Sequence, residues 1–272
     1  MPLVTFTLTE PTDSASHLLF GVPVDTPEQT VEGLSVTRGT CRGLLRARNS
    51  GQQAVLIEPE QGHAEVTVSF SPAPSRFPHW LFAPTGGAHE TPSGDLLALM
   101  LDVVAQAPTP AARVEAVVRH VDARFEYGVR EVGLADDTAA MPALACDTHL
   151  GTCVDTHSYA VAAMRAAGID AAYISGLYFP DDTDVSQPGH CWFVVDAAGA
   201  PHHWDISHHL KYGLGPTTPA YNPKPGTRFA LTAGRDLVFA VAGRPVSVSI
   251  LKGFVDASGP DGHSLPTGAR LS

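Results

Sequence analysis

The sequence predicts an α+β fold, and three observations carry that expectation. Residues 1–85 hold short β-rich runs between Gly, Pro and polar turns. Residues 93–168 place apolar side chains at helical spacing behind recognisable caps. From Ala171 onward apolar strands return, now in hairpin arrangement. The expected organisation is a small all-β N-terminal domain over 1–90, a domain of helices packed on an antiparallel sheet over 91–256, and a loosely ordered Gly/Pro/Ser-rich tail over 257–272.

In chain order, VTFTL (4–8), GLSVT (33–37), AVLIE (54–58) and AEVTVSF (64–70) read as strands of a sandwich or barrel-like module. Val66, Val68 and Phe70 share one face. Cys41 falls in an Arg-rich turn, and His63, His79 and His89 are isolated, so no chemistry concentrates here. Residues 72–92 form a connection in which Phe77, Trp80 and Phe82 pack. Ser93 caps a helix over Gly94–Gln106 whose many Leu and Val positions predict that it is largely buried. Thr109-Pro110 starts a second helix, with Val114, Val117, Val118, Val121 and Phe125 as its inner stripe and His120 and Arg124 solvated. Residues 131–149 loop over the same face.

The central stretch is Leu150–Gly168. Thr152 with Asp155 three residues on forms a capping box, which sets Cys153 in the first helical turn and leaves Gly168 to end the helix. A thiol there sits by unpaired backbone N–H groups and the positive end of the macrodipole, both of which favour the nucleophilic thiolate. An acidic loop at 180–189 precedes two strands, His190–Val195 and Ala200–Ile206, around a loop at 196–199. If that loop closes the hairpin, Val195 faces Ala200 and His190 faces Asp205. A carboxylate beside an imidazole fixes its tautomer. Cys153, His190 and Asp205 thus make a candidate nucleophile, base and orienting acid. A rival is a metal site in the His202–His209 region, with His203 as the residue able to share Asp205's face.

Composition narrows the function classes. Net charge is −11, with three lysines (Lys211, Lys224, Lys252) and no basic run, which argues against nucleic acid or an anionic membrane as partner. No leader or spanning segment is visible, so the expected location is cytoplasmic. Four cysteines without a Cys-x-x-Cys spacing fit neither a disulfide scaffold nor a structural zinc, and no cofactor motif occurs. A disulfide between Cys146 and Cys153 is a minor redox alternative, and Cys191 is expected buried.

Taken together, Gly151-Thr-Cys153, Arg165-Ala-Ala-Gly168, His190-Cys-Trp192 and Trp204-Asp205 resemble the transglutaminase-like superfamily of papain-like cysteine enzymes. Phe125-Glu-Tyr127 and Gly234-Arg235-Asp236 resemble further family segments. The resemblance covers about residues 95–250. It implies a papain-like transglutaminase core and a Cys153–His190–Asp205 triad acting on a peptide, a protein or a small amide through a thioester. It makes Thr152, Trp192 and Trp204 candidates for shaping the site or its oxyanion pocket. Cys191 in place of the family's usual Ala, and Ile206-Ser207-His208-His209 after the Asp, are departures. Hydrolysis and amine transfer both stay open, as do a non-catalytic peptide-binding relative and the oligomeric state.

Overall fold

The computed structural model describes residues 1–13, 16–186 and 189–272. The chain begins with six strands: β1 (Leu3–Leu8), β2 (Leu18–Gly21), β3 (Thr30–Arg38), β4 (Thr40–Arg46), β5 (Gln53–Glu58) and β6 (Glu65–Ser71). Helices α1 (Gly94–Val104) and α2 (Pro110–Asp122) follow, then β7 (Phe125–Tyr127), β8 (His149–Gly151) and α3 (Cys153–Ala166). Next come β9 (Asp170–Phe179), β10 (Val185–Ser186), β11 (His190–Asp196), β12 (Pro201–Trp204) and α4 (Ile206–Tyr212). The chain ends with β13 (Thr227–Ala233), β14 (Leu237–Val241), β15 (Arg244–Val248), β16 (Phe254–Asp256), β17 (His263–Ser264) and β18 (Thr267–Leu271). Two compact units emerge: 1–81 with 175–190 and 225–272, and 82–174 with 191–224. No helix among the described residues is long and apolar enough to cross a membrane.

The first unit is an antiparallel sandwich. One sheet has the order β10-β18-β1-β6-β3 and the other β17-β16-β2-β5-β4, with β14 and β15 as a separate pair. Strand alternation directs Phe6, Val66, Val68 and Phe70 inward, all at most 1% exposed. Phe6 meets Phe20 of the facing sheet edge-on, ring centroids 4.8 Å apart. Leu177 and Phe179 of β9 and Phe229 and Leu231 of β13 join the same core.

Several expectations change here. Residues 257–272 are not loose: β18 pairs with β1 from Val4↔Leu271 to Leu8↔Thr267, which supplies the backbone partners a tail would leave to water. Cys41 lies in β4, paired with Ile57, rather than in a turn. The expected acidic loop at 180–189 contains β10, which pairs with β18; its residues 187 and 188 lie outside the described residues.

The second unit is organised round α3, which packs against α1, α2 and α4. Eleven of its residues, from Cys153 to Ala166, are buried, and the alanines let neighbouring helices approach. Gly168 (φ +70) ends it, with Gly168 N bonded to Arg165 O (3.0 Å) and Ile169 N to Met164 O (2.9 Å). The predicted stripe of α2 is buried, each valine contributing about 1.5–3 kcal/mol. Helix α1 buries only Leu96, Met100 and Val104 on one face, while Leu97 and Leu101 are exposed, so the expectation of a largely buried helix is corrected. His120 is half-buried against the Tyr159 hydroxyl (3.4 Å) rather than solvated, and that burial, followed by the Arg124 charge, lowers its pKa. His89 bonds Asp136 (3.0 Å), and Arg165 reaches the buried Glu90 carboxylate (2.6 Å). Strands β12, β11 and β9 are neighbours in one sheet.

Candidate active site

Cys153 is the first residue of α3, and local sequence fixes it there. Thr152 is the N-cap: its N–H donates to Asp155 Oδ2 (3.0 Å), its hydroxyl donates to the same oxygen (3.0 Å), and Val154 N–H donates to Thr152 Oγ1 (3.2 Å). The predicted capping box is therefore present. Just upstream, β7 and β8 pair in parallel with Tyr127 opposite Gly151. A Cβ on Gly151 would stand 2.6 Å from the Phe125 ring and 3.2 Å from Asp155 Cβ. Only a glycine lets the strand pass so close before the helix turns. Cys153 is 8% exposed.

Tyr127 stands beside these residues, where the sequence offers it only within Phe125-Glu-Tyr127, a segment resembling the family. Its pKa is pushed up from 10.0 to about 12, first by burial and then by the negative charges of Cys153, Tyr212, Asp205 and Cys191. The tyrosine is thus held neutral beside the thiol and the acid. The signal for it was its position in β7, which starts three residues past the end of α2, and across from Gly151.

The hairpin register differs from the expectation by two. Phe193 faces Trp204, Val195 faces His202 and Asp196 faces Pro201. The loop begins one residue later because Asp196 stays in the strand and its Oδ1 accepts the Gly199 N–H (2.6 Å), with Ala198 (φ 65) and Gly199 (φ 81) turning the chain. A shift of two keeps every side chain on its expected face. The ladder ends at Trp204, however, and Asp205 is the N-cap of α4, not a strand residue. The sequence signal for α4 was present: Asp before an apolar residue, and Gly213 (φ +62) where the helix stops.

Asp205 is fully buried. Its Oδ1 accepts Ser207 Oγ (2.9 Å) and His208 N–H (3.0 Å), while Oδ2 lies 3.3 Å from His208 Nδ1. His157, one turn along α3 from Cys153, has Nε2 3.6 Å from Oδ1. That nitrogen accepts the Ser207 N–H (3.3 Å), which assigns the ring proton to Nδ1. His157 was missed, and His208 enters the sequence reading only within the His202–His209 region and the departure after the Asp; α4 brings Asp205 and Ser207 to both.

His190 lies in the first unit, 8% exposed. Its Nε2 is 3.3 Å from Arg228 Nη2, its ring is 6.3 Å from the Tyr178 ring, and the Arg228 guanidinium stands 5.8 Å from that same ring. A guanidinium only donates, so Nε2 is the acceptor in this contact. Arg228, itself 3% exposed, was not singled out by the sequence.

The other candidates make contacts within the hairpin and the helix cap. Trp192 is fully buried and gives its indole N–H to His203 Nδ1 (2.9 Å), so that donor is committed within the hairpin instead of serving an oxyanion. Trp204, 5% exposed, pairs with Phe193. The Thr152 hydroxyl is committed to the capping box.

His203 is also not the histidine that meets Asp205, because it is held by Trp192 and Tyr221; His208 takes that place. His202 is exposed, and His209 Nδ1 lies 3.2 Å from Gly215 O. Within the second unit Asp205 stands beside two imidazoles, His208 (3.3 Å) and His157 (3.6 Å). Cys41 and Cys146 are exposed, Cys153 and Cys191 are buried, and none of the four is in a disulfide.

Residues 98–204 match the family model described as the transglutaminase-like superfamily. A candidate cysteine protease from Cytophaga hutchinsonii has a similar solved structure (TM-score 0.50, 13% identity), covering 100% of this chain and 97% of that one. The periplasmic domain of TgpA from Pseudomonas aeruginosa, bound to ethylmercury, is similar at TM-score 0.42 and 14% identity, over 78% of this chain and 91% of that one. Among curated proteins, none matches the chain in sequence. The match covers less than half of the chain, and over those residues the chain is similar to the transglutaminase-like superfamily.

Proposed function

We propose that the protein is a thiol enzyme that attacks amide carbonyls of a peptide or protein through Cys153, with His190 as the base and Asp205 as the acid that orients it. The observation that carries this reading is the setting of Cys153: a thiol at the first position of a capped, buried helix, inside the segment that matches the family. A buried carboxylate with its oxygens held by Ser207 and the His208 N–H fits an orienting role, since its position is fixed before substrate arrives.

In the proposed cycle the Cys153 proton passes to His190, and the thiolate attacks the carbonyl. The oxyanion forms toward the backbone N–H of Cys153 at the helix end. His190 returns the proton to the departing amine as the C–N bond breaks, leaving a thioester on Cys153. Water then releases an acid, or a second amine takes the acyl group as a new amide.

The test is to incubate the protein with a library of blocked peptides and a fluorescent primary amine, trap by acid quench and map the acyl adduct by mass spectrometry. Acylation of Cys153, lost in Cys153→Ala together with at least about 10⁴-fold of turnover, is the expected result. Turnover that survives Cys153→Ala rejects the proposal.

A further inference from the structure

A second feature of the same unit bears on which acyl donor the site selects. The chain has three lysines in 272 residues and a net charge of −11, so an acidic substrate meets a repulsive field over most of the molecule. Two of those lysines gather on the tyrosines beside Cys153. Lys211 Nζ stands 5.1 Å from the Tyr127 ring centroid and 5.3 Å from that of Tyr212, and Lys224 Nζ stands 4.1 Å from Tyr212. All three distances lie within cation–π range, which holds flexible ammonium groups over a fixed platform.

Tyr127 is the link to the reacting atom. It pairs across the strands with Gly151, two residues before Cys153, and packing of α4 against β7 brings Lys211 and Tyr212 alongside. Lys211 is exposed and makes no ion pair among the described residues. The rim also shows uncovered apolar surface at Tyr212 (38%), Leu214 (41%) and Leu150 (52%). A pair of positive charges on aromatic faces, bordered by apolar side chains, is a receptor for a carboxylate carried on a short hydrocarbon arm.

We propose that Lys211 and Lys224, seated on Tyr127 and Tyr212, form an anion subsite beside Cys153, and that the acyl donor presents a carboxylate near the amide that is attacked. The proposal rests on the thiol-enzyme reading and sets its substrate class: an acidic peptide segment or a peptide carboxyl terminus, not a neutral or basic one. The lysines here are specificity residues. They select the substrate and take no part in bond breaking.

The probes are bromoacetyl derivatives of glutamic acid α-amide and of glutamine α-amide, which differ by one negative charge. In each, the Cys153 sulfur forms the new S–C bond and bromide leaves with the electron pair, so the rate reports approach to the thiolate. The readout is the ratio of Cys153 alkylation rates, acidic over neutral probe, followed by peptide mass spectrometry. The expected wild-type ratio is on the order of ten, falling to about one in the Lys211→Gln/Lys224→Gln double variant and at high salt. Arg244→Gln, which removes the same charge from exposed β15, is expected to keep the wild-type ratio. A wild-type ratio of one or below, or a ratio the double variant leaves intact, overturns the subsite. If neither probe labels Cys153 faster than Cys41, the thiol-enzyme reading fails instead, and the subsite falls with it.

Discussion

The two units spend their buried polar groups differently. In the first, the buried glutamines serve the backbone, and His190 with Arg228 is a buried pair of side chains that bond each other. Gln29 Nε2 donates to Val24 O and Ala230 O (both 2.8 Å) and its Oε1 accepts Ala230 N–H (2.9 Å). Gln52 does the same for Val22, Gln53 and Ala233. In the second unit, buried side chains also bond one another: Trp192 with His203, and Asp205 with Ser207 and His208, with His157 alongside. Most side-chain hydrogen bonds in proteins go to backbone or water, and burying a linked set of side chains is costly unless every member is satisfied. The first pattern builds a scaffold. The second holds ionisable groups in place, which is what chemistry at Cys153 would require.

The sharpest way to break this contrast is to neutralise the acid without changing its shape. Asp205→Asn is expected to keep the fold and lower turnover by about 10⁴-fold, because an amide cannot stabilise an imidazolium. Steady-state kinetics with thermal unfolding as the control checks it. Replacing a scaffold group should do the opposite. Gln29→Leu leaves one N–H and two carbonyls without their partner, and urea unfolding should read a loss of about 3 kcal/mol. Gly151→Ala lies between the two: the added methyl meets the Phe125 ring at 2.6 Å. Unfolding should show a cost of about 1–3 kcal/mol, with Cys153 reactivity falling as the helix start is displaced. The smallest effect is at Tyr127. Its pKa is raised in the folded state, so it adds stability that is complete below the unfolded value of 10.0 and is lost as pH rises through about 12. Tyr127→Phe should flatten the urea midpoint across that alkaline window and change nothing near neutrality.

How much of this was legible depended on the range of the forces involved. The Thr152–Asp155 box, the valine stripe of α2 and the Gly168 stop are set by residues within one or two turns, and each is where the sequence puts it. The β18–β1 pairing joins the two ends of the chain, and no local pattern announces a partner so distant. Register was missed by two because one Asp196 side chain moved the start of a turn. Helix α4 was hidden by the strand before it: Trp204 alternates correctly, and the change of period at Asp205 covers too few residues to stand out. With α4 unread, His157 had no reason to be noticed, His208 was seen only as one histidine of the His202–His209 region, and the lysine–tyrosine cluster stayed hidden.

The claim at the centre is that Cys153 is an activated nucleophile because of where its helix begins. The direct measurement is the iodoacetamide labelling rate of all four cysteines at neutral pH, resolved by peptide mass spectrometry. Exposure alone ranks Cys41 and Cys146 first, since Cys153 is 8% exposed and Cys191 fully buried. Activation at the helix N-terminus predicts that Cys153 reacts faster than Cys41 by about tenfold or more. If the order follows exposure, with Cys153 slower than Cys41 and Cys146, the nucleophile assigned to this site is wrong.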